Sequence, residues 1–166
     1  MIKDEPNLLE RVIELLTEND IKYCVIGGQA VSAYVEPVIS LDLDLAIATN
    51  QIDLTKALFE QLFSVRRYEP FFSVSLAGSD FRVQIQTDPR TAEFIEHAVP
   101  GQVLGMKLPV ANLQDVFHSK IWAAQDPKRR VSKRQKDLAD IARLLEVYPH
   151  LYDQVPEDVR ARLIQT

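Results

Sequence analysis

Leu8, Leu9, Val12, Ile13, Leu15 and Leu16 recur at helical spacing, and Asn7 with Glu10 three positions on has the form of a capping box, which predicts a first helix. After Asn19-Asp20 a short apolar run, Tyr23 to Ile26, reads as a strand that stops at Gly27-Gly28, and Gln29 to Tyr34 continues as a helix. Leu41, Leu43, Leu45 and Ile47 then alternate with Asp42, Asp44, Ala46 and Ala48. That period of two predicts a strand with one face buried, so Asp42 and Asp44 point the same way. A helix over residues 52–64 follows, then extended runs over 71–76 and 81–87 around a Gly78-Ser79 turn, and an extended piece over 103–110.

The final third is helical. Asn112 is placed to cap a helix whose apolar side is Leu113, Val116, Phe117, Ile121 and Ala124, and Asp126-Pro127 breaks it. A second helix is predicted from Ser132, with Gln135 at the capping-box position and Leu138, Ile141, Ala142 and Leu145 facing inward; a short last helix begins at Pro156. The sequence contains no internal repeat, low-complexity tract or flexible linker. The pattern predicts an α/β chain: a mixed β-sheet flanked by helices over residues 1–110, and a helical segment over 111–166 packed on that core as one compact unit.

Composition narrows the class. With 46% hydrophobic and 26% charged residues in a chain of 166, usage is that of an ordinary globular domain. The net charge of -5 predicts no global attraction to nucleic acid, so any anion site must be local. The opening MIKDEPNLLERV places acids and a proline where a secretory leader needs a basic patch and an apolar run, and no apolar stretch approaches membrane length. The expectation is a cytoplasmic protein without a membrane partner. The single cysteine, Cys24, reads as a small core residue, and His97, His118 and His150 have no spacing that gathers them on zinc.

Candidate chemistry lies in two neighbouring places. Glycines between a strand and a helix let backbone approach a ligand, and the helix N-terminus beyond offers free N–H groups to phosphate. Asp is disfavoured in strands, and two on one face repel each other; a divalent cation removes that repulsion and takes phosphate oxygens as its other ligands. A third feature is the basic run of Lys128, Arg129, Arg130, Lys133, Arg134 and Lys136, a local anion site if these side chains converge.

Val25-Ile26-Gly27-Gly28-Gln29-Ala30, followed after a helical spacer by Leu41-Asp42-Leu43-Asp44-Leu45, resembles the signature of the nucleotidyltransferase superfamily. The branch it is most similar to is that of the AbiE-type toxins of toxin-antitoxin systems, and the similarity extends to the Lys133-Arg134-Gln135-Lys136-Asp137-Leu138-Ala139-Asp140 helix. The resemblance implies the nucleotidyltransferase fold. It implies that Gly27 and Gly28 hold a nucleoside triphosphate and that Asp42 and Asp44 are the catalytic pair binding Mg²⁺ or Mn²⁺. It further implies that Lys136 and Asp137 face the nucleotide, with Lys120 a further candidate.

The implied reaction is in-line attack by an acceptor on the α-phosphorus with release of pyrophosphate, the acceptor being RNA or protein and a cognate toxin or antitoxin being a partner. Two positions depart from the active pattern: Gln84 stands where a third acid is expected, and Val38 lies in the segment, residues 36–40, where relatives carry an Arg. Asp80 and Asp88 share the parity of Gln84 and are candidates to replace that acid. Three readings therefore stay open: a nucleotidyltransferase, a catalytically weakened nucleotide-binding or antitoxin-like protein, and a non-enzymatic RNA-binding domain.

Overall fold

The computed structural model describes residues 7–163. The opening residues 1–6, which carry part of the argument against a secretory leader, lie outside them. Helix α1, Leu8–Glu18, forms as the apolar spacing predicts and is capped by Asn7, whose Oδ1 accepts from the Glu10 N–H at 2.8 Å. Strand β1, Tyr23–Ile26, runs straight into α2, Gly27–Tyr34, so the two glycines form the first turn of the helix rather than a separate turn before it. Strand β2, Asp42–Ile47, carries the acid pair, and α3, Ile52–Leu62, ends two residues before its expected limit.

Three extended elements depart from the expected pattern. Ser64–Tyr68 forms β3, an edge strand that pairs with β4, Phe71–Ser75. Its SVRRY sequence carries no alternation because only Val65 is even partly covered, so nothing in its pattern distinguishes it from a loop. The expected single piece at 103–110 is a hairpin, β6 (Val99–Val103) and β7 (Met106–Val110), turned at Leu104 and Gly105 with φ of 51° and 82°. Positive φ at both turn residues suits the twist of a two-residue hairpin, and the non-glycine Leu104 hides that signal in the sequence. Between β5, Arg82–Gln86, and β6 a short helix, α4 (Pro89–Ala92), is capped by Asp88.

The seven strands form one mixed sheet in the order β3-β4-β5-β2-β1-β7-β6. β2 lies in the middle, antiparallel to β1 and parallel to β5. Its Leu43, Leu45, Ala46 and Ile47 are fully buried with Phe59, Val83 and Ile85. This central position makes the first residues of β2 a rigid mount for the acid pair.

Helix α5, Leu113–Gln125, is capped by Asn112 as predicted. Helix α6, Val131–Val147, starts one residue ahead of Ser132: Arg130 is its N-cap without a side-chain hydrogen bond, so the expected capping box with Gln135 does not form. Leu138, Ile141 and Leu144 make its buried seam, while Ala142 and Leu145 lie at the margin. α5 and α6 pack on each other and on α2. Two hydrogen bonds fasten that arrangement: Tyr34 Oη donates to the Ala111 carbonyl at 2.7 Å, and Tyr148 Oη donates to the Tyr34 carbonyl at 3.1 Å. A last turn of helix, α7, spans Glu157–Arg160 behind Pro156. No helix among the described residues is long and apolar enough to cross a membrane.

Candidate functional site

The two glycines do different work. Gly27 has φ of 69°, a conformation costly for any residue with a side chain, and Ile26 beside it pairs with Asp44 in the β1–β2 ladder. A Cβ placed on Gly27 runs into Asp44 Oδ2 and lies 3.1 Å from the Asp44 Cβ, so Gly27 is where α2 makes room for that carboxylate. A Cβ on Gly28, by contrast, meets nothing within 4 Å. Gly28 faces a cavity of about 140 Å³, and the α2 N-terminus above it has no side-chain cap. First-turn N–H groups without an intramolecular partner beside an open cavity suit an anion.

The floor of that cavity is the pair of acids. Asp42 and Asp44 stand on one strand face with Ser40 at the rim, and both line the cavity. Burial, reinforced by the neighbouring Asp42, holds the Asp44 carboxyl well above its usual range, to about 6, against the opposing pull of Lys120, Lys133 and Arg129. Asp42 is more open and is met by Arg82, whose Nε lies 3.2 Å from its Oδ1. Arg82 faces Asp42 and Gln84 faces Asp44 in the parallel β2–β5 register, which fixes Gln84 as the residue opposite the acid pair. The backbone under the pair is pinned by Gln29, a buried side chain of α2 whose Nε2 donates to the carbonyls of Asp42 at 3.3 Å and Ser40 at 3.5 Å.

Neither candidate for a replacement acid reaches this place. Asp80 precedes β5, and Asp88 is engaged as the α4 cap, its Oδ1 accepting from the Arg90 N–H at 2.9 Å and its Oδ2 held by the Arg90 guanidinium at 2.8 Å. Parity relates them to Gln84 only along an ideal strand, and β5 stops at Gln86. Val38 belongs to the exposed loop between α2 and β2 and lines a different cavity.

The opposite wall is cationic and comes from α5, α6 and their connection: Lys120, Arg129, Lys133 and Lys136. Lys120 is nearly buried, with Nζ 3.2 Å from Asp137 Oδ1 and 3.0 Å from Asp140 Oδ2. Arg129 closes on Asp137 from the other side, Nε to Oδ2 at 2.6 Å. Asp137 is therefore a buried clamp with both oxygens occupied, and it sets the direction of two cations rather than offering a free carboxylate. Lys136, next to it on α6, remains exposed at the cavity wall. Asp140 passes the connection to Arg143 at 3.0 Å, and Arg143 donates to the Glu36 carbonyl of the α2–β2 loop.

Gly28, Asp42, Asp44, Lys136 and Asp137 thus converge on one cavity, with Gly27 directly behind Asp44. Lys120, a further candidate through the resemblance, lies at the centre of the cationic wall, and Arg82 is a site residue that the sequence reading missed. Arg82 had a usable signal, its parity with Gln84 on a strand beside the acids. The pairing of Lys120 with Asp137 and Asp140 had none, because these residues are distant in sequence and meet only when α5 and α6 pack.

Among the described residues no group of three or more His, Cys, Asp or Glu side chains gathers as a complete metal cage. Two carboxylates on one face fit a hard divalent cation that takes its remaining oxygens from phosphate and water.

Residues 15–166 match the family described as nucleotidyl transferase AbiEii toxin, type IV toxin-antitoxin system. No curated protein matches the sequence. Among solved structures, the fold is similar to ANT(2″)-Ia in complex with adenylyl-2″-tobramycin, at 15% identity over 95% of this chain and 97% of that one, TM-score 0.63. It is also similar to an antigenic nucleotidyltransferase-like protein from Paracoccidioides brasiliensis, at 18% identity over 93% and 84% of the two chains, TM-score 0.58. The lincomycin-bound lincosamide adenylyltransferase LnuA aligns at 9% identity over 82% of this chain and 95% of its own, TM-score 0.51.

Proposed function

Because the chain belongs to the AbiEii family of nucleotidyltransferase toxins, we propose that it transfers a nucleoside monophosphate from a nucleoside triphosphate to a hydroxyl of an RNA or protein acceptor, in the cytoplasm and under the control of a cognate antitoxin. The observation that carries the reading is the convergence, on one small cavity, of an open helix N-terminus at Gly28, the Asp42–Asp44 pair and four cationic side chains. Each part answers to a part of a metal–triphosphate: free N–H groups and cations to the phosphates, paired carboxylates to the metal.

Asp42 and Asp44 would hold Mg²⁺ or Mn²⁺, which when bound supplies Lewis-acid polarisation of the α-phosphoryl group. Gly27 keeps Asp44 in place, and Gln29 holds the backbone of Asp42. The α2 N–H groups and Lys136, Lys133, Arg129 and Lys120 orient the triphosphate and favour departure of pyrophosphate. The acceptor oxygen bonds to the α-phosphorus, the bond from that phosphorus to the bridging oxygen breaks, pyrophosphate leaves, and the acceptor proton passes to water.

Gln84 opposite Asp44 favours a second reading, a nucleotide-binding protein with weakened catalysis. A neutral amide supplies no charge for a second cation. Calorimetry with a non-hydrolysable triphosphate and Mg²⁺, on wild type and on the Asp42→Asn/Asp44→Asn double variant, tests the site: binding is expected in the first and lost in the second, and equal affinities remove the acids from it. Labelled triphosphates with bulk RNA or protein then separate the two readings. Gln84→Asp is expected to tighten metal binding and, with the new carboxylate as a general base, to raise transfer by about 10²–10⁴-fold, whereas Gln84→Ala does neither. Fast wild-type transfer indifferent to both changes removes Gln84 from the argument.

A further inference from the structure

A second cavity, of about 540 Å³, opens on the far side of Ser40 from the acid pair. Ser40 lines both cavities, so they are neighbours. The larger one lies between the second half of α2, the loop over residues 35–41 and the β6–β7 turn. Its walls combine apolar surface from Val38 and Leu104 with the polar groups of Gln29, Ser32, Ser40 and Gln102. Among the described residues no charged side chain lines it, whereas the neighbouring cavity is lined by seven, Asp42, Asp44, Lys120, Arg129, Lys133, Lys136 and Asp137. A volume of this size, with apolar walls and a few converging polar groups, is that of a small-molecule site.

We propose that this cavity is the acceptor subsite, and that it takes an uncharged, hydroxyl-bearing group with an apolar body, its hydroxyl directed past Ser40 toward Asp42 and Asp44. The inference rests on the transferase reading and adds the chemical class of the acceptor end. Three observations support it. The phosphate-binding groups and cations occupy the Gly28 side, which leaves the Ser40 side for a second reactant approaching the same acids. The uncharged lining penalises an ionic group, which would be desolvated there without a counter-charge. Gln29 joins the two cavities mechanically, since it lines the larger one and its amide holds the Ser40 and Asp42 carbonyls. An occupant touching Gln29 therefore bears on the backbone of a metal-binding residue. Arg143, through the Glu36 carbonyl, ties the loop that walls the cavity to the Asp140–Lys120–Asp137 network of the catalytic side.

The test uses three probes that share a phenyl ring on a two-carbon chain and carry a neutral, an anionic or a cationic end group: 2-phenylethanol, phenylacetate and 2-phenylethylammonium, titrated into the ¹⁵N-labelled protein. The alcohol is expected to shift the amides of residues 37–40 and 102–105 with an affinity at least about tenfold above that of either ion, a difference of about 1.4 kcal/mol. Val38→Trp, on an exposed loop and outside the catalytic set, fills the mouth and is expected to abolish these shifts while leaving triphosphate affinity unchanged. Paramagnetic Mn²⁺ then reports orientation, because the methylene beside the hydroxyl should relax faster than the ring protons.

Equal affinities for the three probes, retention of alcohol binding in Val38→Trp, or faster relaxation of the ring overturns the proposal. If Mn²⁺ fails to bind wild type at all, the transferase reading falls. The subsite's chemistry is then still judged by the alcohol-to-ion ratio and by Val38→Trp.

Discussion

At the scale of single residues, adjacent glycines that look equivalent in the sequence separate into a structural and a functional position. Gly27→Ala places a Cβ against Asp44 at a positive φ, so it is expected to destabilise the fold by about 1–3 kcal/mol. Gly28→Ala meets no neighbour and is expected to leave stability within about 0.5 kcal/mol while weakening triphosphate binding. Denaturant melts and calorimetry on the two variants make the comparison, and equal stability losses would erase the distinction.

Asp44 carries the pH dependence. In the unfolded chain it loses its proton near 3.8 and in the folded chain near about 6, so between those values the folded state binds more protons. Metal-free stability contributed by this group is full below pH 4 and is lost as pH rises through about 6. Asp44→Asn should therefore melt higher than wild type at pH 7 without metal, and the difference should shrink as pH falls toward 4. An unchanged difference across that range rejects the assignment. The Asp pair itself was legible from period two and from the oddity of carboxylates in a strand; the strength of their burial was not, because it depends on Gly27, α5 and α6.

At the scale of elements, α5 and α6 act as one part because Asp137 joins Lys120 and Arg129 across them. Removing one partner of a buried pair leaves an uncompensated charge, so Asp137→Ala should cost about 3 kcal/mol or more and splay the cationic wall. Asp137→Asn, which keeps the shape and one acceptor oxygen, should cost less. Chemical denaturation of both checks the order, and an Asp137→Ala protein as stable as wild type would mean that the clamp contributes nothing. In the sequence, Asp137 stood out only through the family resemblance, and Lys136 through that resemblance and its place in the basic run. The β6–β7 hairpin and β3 escaped for opposite reasons. The hairpin turn uses Leu104 where glycine or asparagine is the usual signal, and β3 is too exposed to show a hydrophobic period.

At the scale of the whole molecule, an acidic chain of net charge -5 concentrates cations on one wall facing two carboxylates. Metal and triphosphate should bind together, since each neutralises the charge that repels the other. At a hundred times its dissociation constant a ligand specific for the folded state adds about 2.7 kcal/mol of stability. For a domain of this size that amounts to a rise of about 5–10 °C in Tm. Triphosphate with Mg²⁺ should produce that shift and triphosphate with EDTA should not; a shift that survives EDTA would place the nucleotide elsewhere than at the acids.

The sequence by itself determined what depends on neighbours within one element: the strand–glycine–helix step, the shared face of Asp42 and Asp44, the caps at Asn7 and Asn112, and the break at Asp126-Pro127. Those features follow from backbone geometry and side-chain period, which act over a few residues. Tertiary structure decided which charges face the acids and which do not. Lys120, Arg129 and Asp137 meet because two helices pack, Arg82 and Gln84 face the pair because β5 aligns in register with β2, and Asp80 and Asp88 are excluded because that strand starts only at Arg82 and ends at Gln86. Such pairings close long loops of chain, and their partners are chosen by the burial of the whole core rather than by any local preference.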